Sequence, residues 1–175
     1  MISLGALVLL SLVILRITNN FLITDTILLE SKVKLQGVSV AASIIEEAVG
    51  KAFDEFSVDT SVVITNLSDL TSILGPEAGE NYKTFNDFDD FNGLTFNTGD
   101  TLLSRNPFRG MYSDYFDVSC EVGYINSNSP NVVTASRTWH KKLTVKVTSK
   151  VMENTSYKAF ADTIVMSVIQ SNFAF

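Results

Sequence analysis

The pattern of hydrophobic and polar positions predicts one long helix at the start of the chain. No proline occurs between Ile2 and Glu55, and Ile2–Leu15 is apolar apart from two serines and one glycine. From about Leu22 the pattern becomes amphipathic, and it stays so to Phe53. A helix of that length measures roughly 80 Å at ~1.5 Å per residue, whereas a bilayer core is ~30 Å thick. The helix therefore cannot be only a membrane anchor, and its second part must project into water.

The amphipathic part of this helix carries two apolar stripes. One stripe consists of Leu28, Leu35, Val38, Ala42, Ile45, Val49 and Ala52, and the adjacent one of Leu29, Val33, Gly37, Val40, Ile44 and Ala48. Together the two stripes form an apolar face that is wider than the contact between two helices requires. One stripe can pack on the rest of this chain and the other on neighbouring subunits. The alternative is that the whole apolar face packs on the attached domain.

Three explanations compete for the apolar N-terminal segment. A secretory signal is disfavoured, because no basic residue precedes the apolar run and no small-residue cleavage site follows it. A transmembrane span needs ~20 apolar residues, and this run approaches that length only when Ile17 and Phe21–Ile23 extend it. In the third explanation, the helix waits in a membrane and then packs against copies of itself.

The rest of the chain predicts a long loop followed by an antiparallel sheet. Residues 56–114 lack clear periodicity. Residues 115–175 contain three predicted strands: Tyr115–Ile125 and Trp139–Val151 alternate between apolar and polar residues, and Ala161–Ser171 is mixed on both faces. The chain thus divides into an apolar helix segment (1–23), an amphipathic helix (24–55) and a globular head (56–175). We expect an α+β fold, with a long N-terminal α-helix packed on an antiparallel β-sheet of about 3–5 strands.

Composition narrows the function classes. The net charge is −6, which disfavours nucleic acid as a partner because phosphate binding needs a basic face. The single cysteine, Cys120, lies in an alternating segment and is interpreted as a buried, unreactive thiol. The single histidine, His140, stands beside two lysines and is interpreted as an exposed strand residue rather than a catalytic base. No motif of an enzyme active site is present, so we expect no catalytic activity.

The densest polar cluster suggests one candidate metal site. Asp87, Asp89, Asp90 and Asn92 offer closely spaced oxygen atoms before Gly93, as calcium-binding turns do. The spacing does not fit an EF-hand, and the alternative is a turn in which these side chains cap the backbone. We expect no cofactor, with a calcium ion at this turn as the alternative.

Aromatic residues alternate with these acids at every third position. They are Tyr82, Phe85, Phe88 and Phe91. They are interpreted as rings that anchor the loop on the sheet or the helix, and the alternative is a surface that binds a partner.

The apolar start, the long amphipathic helix, the loop and the sheet together resemble a type IV pilin or a type II secretion pseudopilin. The resemblance implies assembly through the N-terminal helix. The expected interface consists of Ile2, Leu4, Leu7, Leu9, Leu12, Val13, Leu22, Leu28 and Leu29. That family usually has glutamate at the fifth mature position, where this chain has Gly5. Members without this glutamate tend to be minor or tip subunits.

Three functions follow as expectations. The first is a structural subunit of a helical homo-oligomeric filament at the cell surface, held in the inner membrane before assembly machinery polymerises it. The second is a minor or tip subunit of a pilus or secretion system. The third is a single-pass membrane-anchored ectodomain that binds a ligand and does not polymerise.

Overall fold

The computed structural model describes residues 2–59, 63–97, 116–149 and 163–172. Helix α1 spans Ile2–Val49, so it ends before the predicted boundary at residue 55. After the helix, the N–H of Gly50 still donates to Glu46 O (3.2 Å), and that of Lys51 donates to Ala48 O (3.1 Å). Ala52 then pairs its backbone with the loop, donating to Asn86 O (3.2 Å) and accepting from Phe88 N (2.9 Å). These two bonds replace the helical ones that the sequence predicted.

The chain divides into two compact units, Met1–Leu35 and Gln36–Phe175. In the first unit, side chains 4–25 are all exposed, and only the backbone is described for Ile2, Ser3, Thr26 and Leu29. By length and composition, α1 is able to cross a membrane. The first unit is thus a helix whose exposed side chains at residues 4–25 are mostly apolar.

The second unit contains a five-stranded antiparallel sheet. The strands are β1 (Thr95–Phe96), β2 (Phe116–Asn126), β3 (Ser129–Thr134), β4 (His140–Ser149) and β5 (Thr163–Ser171). Their order is β1-β2-β4-β5, and β3 also pairs with β2. The predicted α+β class is therefore confirmed. β1 and β3 were not predicted individually, because β1 has only two residues and β3 is almost wholly exposed.

Strand register follows the alternation in the sequence. β2 and β4 pair from Phe116↔Ser149 to Tyr124↔Lys141, and β4 and β5 pair along their lengths. Side chains on one face of β4 are fully buried; these are Lys141, Leu143, Val145 and Val147. Because successive side chains point to opposite faces, one face of the central strands forms the core.

Within the second unit, α1 packs on this sheet through one of its two stripes. A Cβ atom on Gly37 would lie 2.6 Å from Ile164 Cδ1 and 3.7 Å from Val147 Cγ1, so helix and sheet approach closely there. Further along, Val40, Ala41, Ile44 and Ala48 are buried. Val38 and Val49, from the other stripe, remain exposed. The interpretation that the whole apolar face packs on the attached domain is therefore wrong for this segment.

Gly123 supplies the first testable prediction. A Cβ atom here would lie 2.6 Å from Val133 Cγ1 and 3.0 Å from Cγ2, and a β-branched side chain has little freedom to move away. We expect Gly123→Ala to lower the free energy of unfolding by about 1–3 kcal/mol through overpacking. Chemical denaturation of the full chain in detergent micelles, followed by the fluorescence of its single tryptophan, Trp139, measures this change.

The double variant Gly123→Ala/Val133→Ala removes the obstructing methyl groups and provides the control. Val133 is 56% exposed, so its truncation alone has a small effect. Recovery of most of the lost stability in the double variant identifies the clash as the cause. If the double variant is no more stable than Gly123→Ala, this explanation is contradicted.

Candidate functional site

The centre of the head holds a fully buried lysine. Lys141 lies in β4 on the same face as Leu143 and Val145, and it is 0% exposed. Alternation along the strand therefore carries its side chain into the core, where an ammonium group requires partners.

Lys141 finds these partners in three separate segments. Its Nζ atom donates to Phe53 O and Asp54 Oδ2, each at 2.8 Å, and also to Asp89 Oδ1. It lies 4.7 Å from the centre of the Phe53 ring and 5.5 Å from that of Tyr124. The ammonium thus connects the segment after α1, the acidic turn (residues 86–93) and the sheet. Two carboxylates and two aromatic rings surround it.

Asp54 also organises the backbone around it. Its carboxylate accepts hydrogen bonds from Thr71 N (3.0 Å to Oδ2) and Thr71 Oγ1 (3.0 Å to Oδ1). It caps the short 3-10 helix Glu55–Ser57, and the Ser57 hydroxyl accepts from Asp54 N (2.9 Å) in return. Asp54 therefore joins the loop at Thr71 to the end of the helical segment.

The acidic turn is stabilised by its own side chains. Asp87 Oδ1 accepts from the backbone N–H groups of Asp89 (2.8 Å) and Asp90 (3.1 Å). Asp90 Oδ2 accepts from Asn86 N (2.8 Å) and Asp87 N (3.1 Å). One oxygen of each carboxylate is thus used for capping, as the alternative interpretation of this segment expected.

The four predicted calcium ligands have different partners in the structure. Asp89 forms an ion pair with Lys141. Asn92 Oδ1 accepts from Val122 N (2.9 Å), and its Nδ2 donates to Leu74 O (2.9 Å). Asn92 therefore ties the loop to β2, and the predicted set Asp87, Asp89, Asp90 and Asn92 does not form a single group of available ligands. The reason is that the charge of Asp89 is paired with Lys141 and both polar atoms of the Asn92 side chain are bonded within the protein, whereas Asp87 and Asp90 each keep an unpartnered oxygen.

The structure instead gathers Asp87 and Asp90 with glutamates from elsewhere in the loop. Glu55, Glu77 and Asp87 each place a carboxylate oxygen within 4.8 Å of the others, and so do Glu77, Glu80 and Asp90. Burial, a side-chain hydrogen bond with Glu80 and the charge of Asp90 raise the pKa of Glu77 to about 7. Burial and the charges of Asp89 and Asp90 raise the pKa of Asp87 to about 8.

The aromatic residues of this segment pack against one another. Tyr82, Phe85, Phe88 and Phe91 are all buried. The ring centres of Phe85 and Phe91 lie 5.3 Å apart, and those of Tyr82 and Phe96 lie 5.7 Å apart. The Tyr82 hydroxyl donates to Glu47 on α1. The structural interpretation of these rings is confirmed, because they anchor the loop to the helix.

The two candidate reactive side chains lie in structural positions. Cys120 is buried and free, and burial raises the pKa of its thiol to about 12, so the thiolate is disfavoured. His140 is half-buried, and its Nδ1 atom lies 2.7 Å from Ser171 Oγ on the paired strand β5. The buried position of Cys120 fits the interpretation made from the sequence. His140 begins a strand as expected, but it is half-buried rather than exposed because it packs beside Ser171.

The predicted assembly residues are exposed wherever their side chains are described. Leu4, Leu7, Leu9, Leu12, Val13, Leu22 and Leu28 are between 53% and 72% exposed. Ile2 and Leu29 lie outside the described side chains. This apolar surface is the second candidate functional feature of the molecule.

Sequence reasoning missed Lys141, Asp54, Glu55 and Glu77. The signal for Lys141 was present, because it shares the odd-numbered phase of Leu143, Val145 and Val147 on β4. No comparable signal marked the glutamates, since Glu55 and Glu77 are brought together only by the folding of the loop.

Comparisons with protein-family models, with curated proteins and with solved structures find no match for this chain.

The buried ion pairs lead to the second prediction. We expect Lys141→Met to lower the free energy of unfolding by about 3–5 kcal/mol, because Asp54 and Asp89 would remain buried without their cation. Lys142→Met is the matched control. Its Nζ atom donates to Asn131 Oδ1 (3.3 Å) in an exposed bond, so this change costs at most about 1 kcal/mol.

Denaturation in detergent, again followed by Trp139 fluorescence, compares the two variants. Equal stability of Lys141→Met and Lys142→Met would contradict the assigned role of the buried ammonium. Adding Asp89→Asn to Lys141→Met removes one of the uncompensated charges. The double variant is therefore expected to recover part of the lost free energy of unfolding.

Proposed function

We propose that this protein is a structural subunit of a type IV pilus-like filament and polymerises through its N-terminal helix. Before assembly, the apolar segment 1–23 lies in a membrane, and after assembly it lies in the filament core. The observation that carries the proposal is the exposed apolar surface of α1, where side chains 4–25 all face outward in the single chain.

A helix surface of this kind requires a covering. Apolar side chains on every side of a helix are typical of a membrane span or of the interior of a helical assembly. Leu4, Leu9 and Phe21 are 72%, 66% and 66% exposed, far beyond the scattered apolar residues of an ordinary soluble surface. Lipid covers this surface in a membrane, and copies of the same helix can replace the lipid with similar van der Waals contacts.

The second apolar stripe favours self-assembly over anchoring alone. Leu28, Leu35, Val38 and Val49 are 61%, 71%, 40% and 45% exposed, respectively. These residues continue the apolar surface well beyond the ~20 residues that a bilayer accommodates. A membrane anchor does not require them, whereas contacts between the helices of neighbouring subunits do.

Gly5 bears on which kind of subunit this is. In the pilin family, the glutamate at this position pairs with the N-terminal amine of a neighbour during assembly. The apolar segment of this chain contains Gly5 and no carboxylate, and the first carboxylate in the sequence is Asp25. A minor or tip subunit is the variant of the proposal that this difference favours.

A second function has one observation in its favour. The head contains an open cavity of about 600 Å³ in the loop region, lined by Phe56, Val63, Leu70, Ile73 and Arg137 among others. Ile73 and Val63 are 84% and 68% exposed. A membrane-anchored ectodomain that binds a partner at this cavity and never polymerises is therefore the alternative of another class.

The first test of the proposal introduces a charge into the apolar segment. We expect Leu9→Asp or Val13→Asp to abolish filaments, because a carboxylate at the centre of an apolar helix costs roughly 3 kcal/mol in lipid. Val132→Asp is the control for the added charge, since Val132 is 63% exposed on β3 of the head. Electron microscopy of detergent-free material from cells provides the measurement. Normal filaments in both helix variants would rule out assembly through this segment.

The second test separates polymerisation from anchoring. Leu28→Asp changes the exposed stripe beyond the membrane segment, close to Asp25, where a carboxylate is already present. We expect filaments to be lost while membrane insertion is retained, because the change disrupts helix-to-helix contacts outside the lipid. Ser43→Asp is the matched control, since it adds the same charge to an exposed polar position of α1.

Microscopy and membrane fractionation are carried out on the same cells. A wild-type chain that fractionates with membranes and forms only single particles would support the anchored ectodomain. Filaments that persist in Leu28→Asp would remove the exposed stripe from the assembly interface.

A further inference from the structure

Three carboxylates that are far apart in the sequence lie close together at the loop of the head. Glu55 follows Asp54 in the first 3-10 turn, Glu77 follows Pro76, and Asp87 begins the acidic turn. Each places a carboxylate oxygen within 4.8 Å of the other two. Such an arrangement brings three carboxyl groups together in a partly buried space, where repulsion between their charged forms is weakly screened.

Unpartnered oxygens distinguish this trio from an ordinary acidic surface. Asp87 is 0% exposed, and its Oδ2 atom has no hydrogen-bond partner among the residues that the structure describes. The atoms Glu55 Oε2 and Glu77 Oε2 are also buried and have no hydrogen-bond partner among the described residues. A buried carboxylate oxygen without a donor is costly, so three of them in one place indicate that a cation belongs there.

Lys141 does not serve as that cation. Its ammonium donates to Phe53 O, Asp54 and Asp89, which together use the three protons of the group. Asp87, for its part, uses Oδ1 to accept from the N–H groups of Asp89 and Asp90. These bonds fix the orientation of the Asp87 carboxylate and leave its second oxygen for a ligand.

We propose that Glu55, Glu77 and Asp87 form a binding site for one calcium ion. Calcium is bound by oxygen at 2.3–2.6 Å, so oxygens that share one ion lie no more than about 5 Å apart, and these three carboxylates meet that condition. The donor set contains only carboxylates, whereas zinc prefers histidine and cysteine. Magnesium usually keeps several waters, and a site of three converging carboxylates suits the less hydrated calcium ion better.

The neighbouring trio Glu77, Glu80 and Asp90 is a weaker candidate. Glu80 Oε2 accepts from Glu77 N (3.1 Å), and its Oε1 accepts from Asn86 Nδ2 (3.2 Å). Asp90 retains one unpartnered oxygen, Oδ1. Glu80 is thus already engaged with the protein and holds Glu77 in position beside the proposed ion.

Bound calcium would connect three parts of the loop region. Glu55 begins the short 3-10 helix after α1, Glu77 lies in the middle of the loop, and Asp87 lies in the turn that pairs with Ala52. An ion held by all three would fix residues that no regular secondary structure joins. The stability of the head is then linked to the calcium concentration, because an ion that binds only the folded state stabilises it.

The experiment measures calcium binding by the full chain in detergent micelles, after treatment with a chelator. Isothermal titration with CaCl₂ is expected to show one ion per chain, with weaker binding of MgCl₂. Glu77→Gln and Glu55→Gln are expected to reduce the calcium affinity at least ~10-fold, because each removes one charged ligand. Both residues are only half-buried and both variants keep the side-chain shape, so folding is expected to persist.

Glu121→Gln is the matched control. It removes one carboxylate from β2, where Glu121 lies 3.7 Å from Lys146 in an exposed pair, and it is expected to leave the calcium affinity unchanged. Trp139 fluorescence during thermal unfolding provides a second readout, in which calcium raises the midpoint for the wild-type chain but not for Glu77→Gln.

Three results would overturn the proposal. They are no calcium binding at millimolar concentration, an affinity unchanged in both glutamate variants, and tighter binding of magnesium than of calcium. Because the measurement uses dispersed chains, it is independent of whether the protein forms filaments.

Discussion

The buried ammonium of Lys141 is the interaction on which the arrangement of the head depends. It is fully enclosed, and it contacts Asp54 and Asp89 from segments that are 35 residues apart in the sequence. Moving an ammonium group out of water is costly, so the fold is favourable only when both carboxylates are present and oriented. Asp54 is oriented by Thr71 and by its own cap, and Asp89 by the turn that Asp87 and Asp90 stabilise. A network of charged hydrogen bonds therefore specifies a region that has little regular secondary structure.

The aromatic rings complete this region by excluding water. Phe85, Phe88 and Phe91 are buried, and Tyr82 connects them to Glu47 on α1. With water excluded, the charges around Lys141 interact strongly, and any carboxylate without a donor becomes expensive. The same burial raises the pKa values of Glu77 and Asp87. The polar network and the aromatic cluster thus depend on each other.

Helix α1 shows how one element can serve two environments. Between residues 36 and 49 it buries Val40, Ile44 and Ala48, while Val38 and Val49 remain exposed. Over residues 4–25 its side chains are exposed throughout. Burial of the first kind stabilises the head, whereas the exposed surface is available for lipid or for other chains. This division is the structural basis of the proposed filament subunit.

Much of the fold was predictable, because local patterns report local geometry. The proline-free apolar run predicted α1, two-residue alternation predicted β2 and β4, and a segment with apolar residues on both faces predicted β5. The helix was predicted to reach residue 55, but it ends at Val49 because Ala52 bonds to Asn86 and Phe88 across the loop. β1 and β3 were missed, since two residues and an exposed strand carry almost no pattern.

The sequence by itself determined the helix, the alternating strands, the buried Cys120 and the aromatic anchor. Hydrophobic periodicity is a property of neighbouring residues and needs no tertiary information. Only the tertiary structure decided the partners of the acidic residues. In the folded chain, Asp89 bonds to Lys141, and Asn92 bonds to Val122 and Leu74. Glu55 and Glu77 lie beside Asp87. The physical reason is that charges interact through space, over distances set by the folded chain rather than by its spacing in sequence.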